Sequence, residues 1–171
     1  TILATHITEI LKTHAQEFIG RQETQKLLDN HSQTEPKVVE ELVPNVIPLG
    51  VVQKVLQNLL KEQVSIRDLH TILETLADVG PVTKDADLLT EHVRQSLSRQ
   101  ITRQYQTDDG LLPLISMDQE LENQVAGAIQ DSGQGAYLGL NPNMAQAIIN
   151  ATDAKLEQFS INNYQPLLLC S

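Results

Sequence analysis

The sequence predicts a mostly α fold: a helical subdomain over residues 1–105, then a partial α/β subdomain (strand-helix-helix-strand) over 106–171. Three observations carry this reading. Apolar residues recur at 3–4 spacing as far as Tyr105, the signature of amphipathic helices. Aromatic residues make up 3% of the chain and Trp is absent, so the core must be built from Leu, Ile, Val and Ala, which suits helix-on-helix packing. Beyond Tyr105 the character changes, with a turn signal at Asp108-Asp109-Gly110 and a short apolar run from Leu111 to Ile115.

In order, Ile7, Ile10, Leu11, His14, Phe18 and Ile19 form the stripe of a first helix, with Gly20 placed to end it. A second helix turns Thr24, Leu27 and Leu28 inward, and Pro36 suits the first position of a short helix reaching Leu42. Pro44 and Pro48 frame a connector. Val52, Val55, Leu56, Leu59 and Leu60 then make the clearest stripe, opposite Gln53, Lys54, Gln57, Asn58 and Lys61. Ser65-x-x-Asp68 approximates a capping box for a helix that buries Ile66, Leu69, Ile72, Leu73 and Leu76 and stops at Gly80-Pro81. Asp85 caps a long helix carrying Leu88, Leu89, Val93, Leu97 and Ile101.

In the second subdomain, Pro113 pushes the run at 111–115 towards an edge strand. Asp118 caps a helix with Leu121, Val125 and Ile129. Residues 131–141 read as a Gly-rich loop, and Asn141-Pro142 starts a helix carrying Met144, Ala145, Ile148, Ile149 and Leu156. Pro166 to Cys170 reads as a second buried strand. Two strands are rarely stable alone. The start at Thr1, without Met, and the finish just after Leu167-Leu168-Leu169 are the pattern expected of a segment excised from a longer protein.

The net charge of −10 is unevenly spread: residues 1–105 hold 14 acids and 11 bases, and residues 106–171 hold 8 acids against Lys155 alone. Binding nucleic acid requires Lys or Arg to neutralise phosphates, and no basic stripe exists, which argues equally against an anionic membrane surface. One thiol, Cys170, cannot form an internal disulfide, so a reducing compartment fits. No apolar run reaches the length of about 20 residues needed by a membrane helix.

Catalytic chemistry is not apparent. There is no G-x-S-x-G elbow, and Cys170 in an apolar strand reads as a buried structural thiol. His6, His14, His31, His70 and His92 form no H-x-x-x-H or H-E-x-x-H pair, so they read as surface or half-buried positions without a metal. Glu40-Glu41 and Asp108-Asp109 are adjacent in sequence and read as solvated acids, not an acid/base pair. Gly133-x-Gly135-x-x-x-Gly139 has the wrong spacing for a dinucleotide loop and reads as a connector. No cofactor is implied. Arg94, Arg99 and Arg103 along one helix, and Arg67-Asp68 at the start of another, are the polar groups suited to an interface, because Arg pairs carboxylates bidentately; intramolecular salt bridges are the competing use.

THITEILKTHAQEFIGRQETQKLLD, ELVPNVIPLGVVQKVLQNLLKEQVSIRDLHTILETLAD and KDADLLTEHVRQSLSRQI together span nearly all of residues 5–101. They resemble the FlhA family of flagellar type III export-gate proteins; residues 105–171 follow more loosely, in element order and in the PLLL strand. The resemblance implies a parent with a membrane-embedded amino-terminal part and a cytoplasmic region of several subdomains. This chain would hold the third and the start of the fourth. It implies assembly into a nonameric ring on the cytoplasmic face of the bacterial inner membrane. The ring would dock export chaperones with their cargo and components of the export ATPase complex. It implies binding, not catalysis, with membrane contact only through the amino-terminal part. The family's chaperone cleft lies mainly in the first two subdomains, so no cleft residue is carried over. Subunit contacts made by the third subdomain point to Arg67, Asp68, Arg94 and Arg99. The related export-gate subunit of virulence injectisomes is the alternative.

Overall fold

The computed structural model describes residues 2–132, 135–162 and 164–170, with the backbone alone at 131–132 and 135–136. The protein is mostly α, and it divides into two compact units, Thr1–Arg103 and Gln104–Ser171.

The first unit holds α1 (Ile2–Thr13), a 3-10 turn (Ala15–Phe18), α2 (Arg21–Ser32), α3 (Pro36–Glu41), a π turn (Leu42–Val46), α4 (Leu49–Lys61), α5 (Leu69–Val79), α6 (Ala86–Ser96) and most of α7 (Ser98–Tyr105). Its centre is α4, which packs on α2, on the 3-10 turn and on α6, while α5 packs on α6 and α3. Val52, Val55, Leu56 and Leu59 of α4 meet Ile72, Leu73 and Leu76 of α5 and Leu89 and Val93 of α6 in one continuous core, completed by Leu28, Leu42, Ile47 and Leu97. Each fully buried Leu or Ile side chain contributes about 1.5–3 kcal/mol. Thr24 and Thr90, polar residues buried with this core, are satisfied locally. Thr24 Oγ1 donates to Gly20 O at 2.8 Å, and Thr90 Oγ1 donates to Ala86 O at 2.6 Å. Gln57 of α4 donates to Ile19 O at 2.8 Å and ties the 3-10 turn to the core.

Several local signals act as the sequence predicts. Pro36 opens α3. Asp85 caps α6, accepting from the N–H groups of Asp87 and Leu88. Others differ. Gly20 does not end the first helix. That helix stops at Thr13, a 3-10 turn follows, and Gly20 is the N-cap residue of α2, its extended backbone lending its carbonyl to Thr24. The stripe of α1 forms but buries nothing: Ile7, Ile10 and Leu11 are about half exposed, as is Phe18. The capping box shifts. Asp68 itself caps α5, accepting from the N–H of Thr71 at 3.2 Å and its hydroxyl at 2.9 Å, while Ser65 accepts from the N–H of Arg67. The long helix after Asp85 breaks at Leu97 into α6 and α7, and Leu88 faces outward.

The second unit contains β1 (Ile115–Ser116), α8 (Gln119–Gly127), β2 (Ile129–Ser132), β3 (Gly135–Leu138), α9 (Pro142–Ile161) and β4 (Leu168–Leu169). Asp118 caps α8 by accepting from Glu120 N–H, and Asn141-Pro142 starts α9 with Asn141 accepting from Asn143 N–H. The strand predicted over 111–115 shrinks to two residues beyond Pro113, which has no N–H to give a ladder. It pairs in parallel with β4, Ile115 opposite Leu168. Ile129 leaves the helix for β2, and the predicted loop at 131–141 is largely an antiparallel hairpin, Ile129 opposite Leu138. Gly133, first in the glycine series, lies outside the described residues. Cys170 is exposed, not buried: β4 ends before it, and Leu168 and Leu169 are themselves more than half exposed. Among the described residues of this unit none is fully buried.

Candidate interaction surface

Two of the predicted contact residues, Asp68 and Arg99, lie on a groove of about 450 Å³ on the first unit, lined by Asp68 and Thr71 from the start of α5 and by Leu97, Arg99, Gln100 and Arg103 from the α6–α7 break. The break itself places them there: if α6 ran on unbroken, α7 would leave along the α6 axis. Gln100 Nε2 donates to Ser65 O at 3.0 Å and holds α7 against the segment that leads into α5. The carboxylate of Asp68 is committed to the α5 cap. The side chains of Arg67 and Arg99 are exposed, and neither makes an ion pair among the described residues.

Arg94 is different. Its Nη1 donates to Glu62 Oε2 at 2.6 Å and lies 3.5 Å from Glu91 Oε1, each partner of the Glu62 pair being 40% exposed. It bridges the end of α4 to α6 within one subunit. The structure therefore brings Asp68 and Arg99 to one groove, with Arg67 next to Asp68 in the chain, and leaves Arg94 in an intramolecular pair.

A second groove, of about 350 Å³, is lined by Asn58, Lys61, Glu62, Asp87, Thr90 and Glu91. Its acids are engaged: Glu62 and Glu91 with Arg94, Asp87 with Asn58 Nδ2 at 2.9 Å. Glu40, Glu41, Asp108 and Asp109 are exposed, as read from the sequence. The Thr107 hydroxyl, donating to Asp109, is the main cause that holds its carboxyl below the ordinary carboxylate range.

Spacing did not reveal one cluster. His31 in the last turn of α2, Glu35 just before α3 and His70 at the start of α5 converge, with ligand atoms all within 4.8 Å of one another. His31 and Glu35 are four apart, a helical neighbour spacing that was visible in the sequence, but only the α3–α5 packing adds His70.

The FHIPEP family profile matches residues 1–171. The chain belongs to the FHIPEP family. A relative in that family, flagellar biosynthesis protein FlhA of Bacillus subtilis, is 44% identical over 171 residues, all of this chain and 25% of its own length. The chain thus spans about a quarter of the length of such curated relatives. Among solved structures, the Chlamydia pneumoniae CdsV and CdsO protein complex aligns with TM-score 0.83 and 31% identity over 90% of this chain and 45% of the other. The nonameric EscV cytosolic domain from the type III secretion system aligns with TM-score 0.75 and 34% identity over 86% of this chain and 44% of the other. FHIPEP relatives are thus flagellar biosynthesis and type III secretion proteins. No helix among the described residues is long and apolar enough to cross a membrane.

Proposed function

We propose that this chain is part of the cytoplasmic region of a flagellar type III export gate and acts by binding, not catalysis. The observation that carries the reading is the full-length match to a flagellar FHIPEP relative at 44% identity, joined to the fold likeness to a nonameric type III secretion domain. In this reading the first unit is the third cytoplasmic subdomain and supplies contacts between copies in a ring. The second unit begins the fourth subdomain, and its half-exposed Leu114, Ile129, Leu138 and Leu168 are covered by other parts of the protein. The ring stands at the cytoplasmic face of the bacterial inner membrane and receives export chaperones with cargo and components of the export ATPase complex. The likeness to CdsV in its complex with CdsO supports a partner beyond the ring itself.

Of the four proposed contact residues, Arg67 and Arg99 hold exposed guanidinium groups without an ion pair among the described residues, and they are the two proposed to meet carboxylates of a neighbouring subunit. Asp68 and Arg94 shape the surface from within. The acidic second unit, with 8 acids against one base from residue 106 onward, steers basic partners and repels acidic ones. The injectisome reading shares this physics; the flagellar relative's higher identity, 44% against 34% for EscV, favours the flagellar branch.

The test is release of flagellin and hook protein into the medium after deletion of the parent gene. Both should disappear, and return with the intact gene but not with one lacking this segment. Normal release removes the flagellar reading. Charge reversal of Arg99 in the complete cytoplasmic region should weaken ring assembly without changing helicity; unchanged assembly discards the contact assignment.

A further inference from the structure

We propose that His31, Glu35 and His70 form a transition-metal site, with Zn2+ as the ion its donor set fits. The carbonyl of His31 accepts the N–H groups of Thr34 at 3.1 Å and Glu35 at 2.9 Å, so the chain leaving α2 folds tightly and returns Glu35 over His31. His70 is the second residue of α5, held by the Asp68 cap. Packing of α3 on α5 brings the two segments together. The side chains therefore sit on elements the core already fixes.

The geometry is that of an open three-ligand site. His31 Nε2 lies 3.7 Å from Glu35 Oε2, too far for a hydrogen bond, and the same carboxylate oxygen contacts His70 Nδ1. The imidazole rings of His31 and His70 are 6.2 Å apart at their centres, tilted by 37°. Ligands about 2.0–2.2 Å from a tetrahedral zinc stand somewhat over 3 Å from each other, so the three atoms need only small side-chain rotations to surround one ion. His31 Nε2 is shielded from solvent and makes no hydrogen bond. Its side chain is 14% exposed, whereas Glu35 and His70 are 44% and 53% exposed. A shielded nitrogen without a partner, beside a carboxylate and a second imidazole that open to solvent, describes a ligand set with an entry path.

Two imidazoles and one carboxylate suit zinc and its divalent first-row neighbours, not Mg2+ or Ca2+, which take oxygen ligands. The fourth position is left to water. Zn2+ binding requires His70 Nδ1 to give up any proton it carries, to the other ring nitrogen or to solvent. The ion would clip the end of α2 to the start of α5 across the intervening chain, and binding only the folded state raises thermal stability. The inference is independent of the export-gate reading, since it concerns this unit's own fold.

The test uses the 171-residue chain, freed of tags and stripped with a chelator, titrated with Zn2+ by calorimetry and with Co2+ by absorption. One Zn2+ per chain, a tetrahedral Co2+ spectrum and a raised Tm are expected. H31Q, E35Q and H70Q should each weaken binding by more than about tenfold, the loss that even outer-sphere partners of a metal cause. H6Q and C170S should leave it unchanged. Since His31 is the least exposed of the three, H70Q keeps the test decisive should H31Q fail to fold. Absence of Zn2+ binding, or binding untouched by H70Q and E35Q, overturns the assignment and leaves the cluster as an ion pair with a spectator imidazole.

Discussion

The two units of this chain are built from similar helices but differ in what the helices enclose. In the first, α4 is surrounded, and Leu, Ile and Val from α2 through α6 and the connectors between them meet in one core. In the second, α9 is the longest helix described, twenty residues, yet buries none of them. Its capping is sound: Asn141 with Pro142 at the start is as good a local signal as Asp85 in the first unit. The difference teaches that caps and periodicity decide where a helix forms, while stability comes from the apolar face it hides.

The largest effect that would sharpen this contrast is cavity creation. Leu56→Ala, at a fully buried position, should cost about 2–5 kcal/mol, read from urea unfolding followed by circular dichroism. Ile149→Ala on α9, 52% exposed, should stay within about 0.5 kcal/mol. Equal losses would mean that the second unit has a core of its own. Native-state hydrogen exchange gives the same comparison by residue, with α4 and α5 amides expected to outlast those of α9.

Next is Gly80→Ala. A Cβ at Gly80 would stand 2.5 Å from Leu76 O, 2.6 Å from Val46 Cγ1 and 3.0 Å from Ile47 Cγ2, so overpacking should cost about 1–3 kcal/mol. A melting temperature equal to wild type would show that the π turn yields freely. Asp68→Ala follows, removing the α5 cap for about 1 kcal/mol; Asp68→Asn should recover most of it, and failure to recover would assign the loss to charge.

Much of the first unit was legible because its signals are local. Pro36, Asp85 and the α4 stripe each name their own neighbours. The failures share one cause, that the deciding partner is distant in sequence. Leu88 fits the helical period, but α6 turns Leu89, Thr90 and Val93 inward, so it faces out. Gly20 reads as a helix end until Gln57 captures the carbonyl before it. Ile129 fits the α8 repeat, and only its pairing with Leu138 draws it into a strand. The proposed contact residues stand out in the sequence as charges within the family-like stretches, but Glu62, which pairs with Arg94, is far from it in the chain. His31, Glu35 and His70 were missed for the same reason.

The smallest expected effect lies in the acidic unit. Thr107→Val removes the main cause that depresses the Asp109 carboxyl, so its titration should move up towards ordinary carboxylates in an NMR pH series. A depressed carboxylate supports the fold above its unfolded pKa and loses that support as pH falls through the folded value; the variant should therefore lack this part of the acid sensitivity. No change in titration would assign the depression to the backbone N–H groups of Asp109 and Leu111, which also lower it.

The pairing of β1 with β4 has a consequence for the order of events on the ribosome. Ile115 and Leu168 stand near opposite ends of the second unit, whereas the β2–β3 hairpin joins near neighbours. Closing a long loop costs more chain entropy than closing a short one, and distant pairings form late. The hairpin strands both precede Leu168 in the chain, so the β1–β4 pair is expected to close after the hairpin, and until then the β1 edge lacks β4.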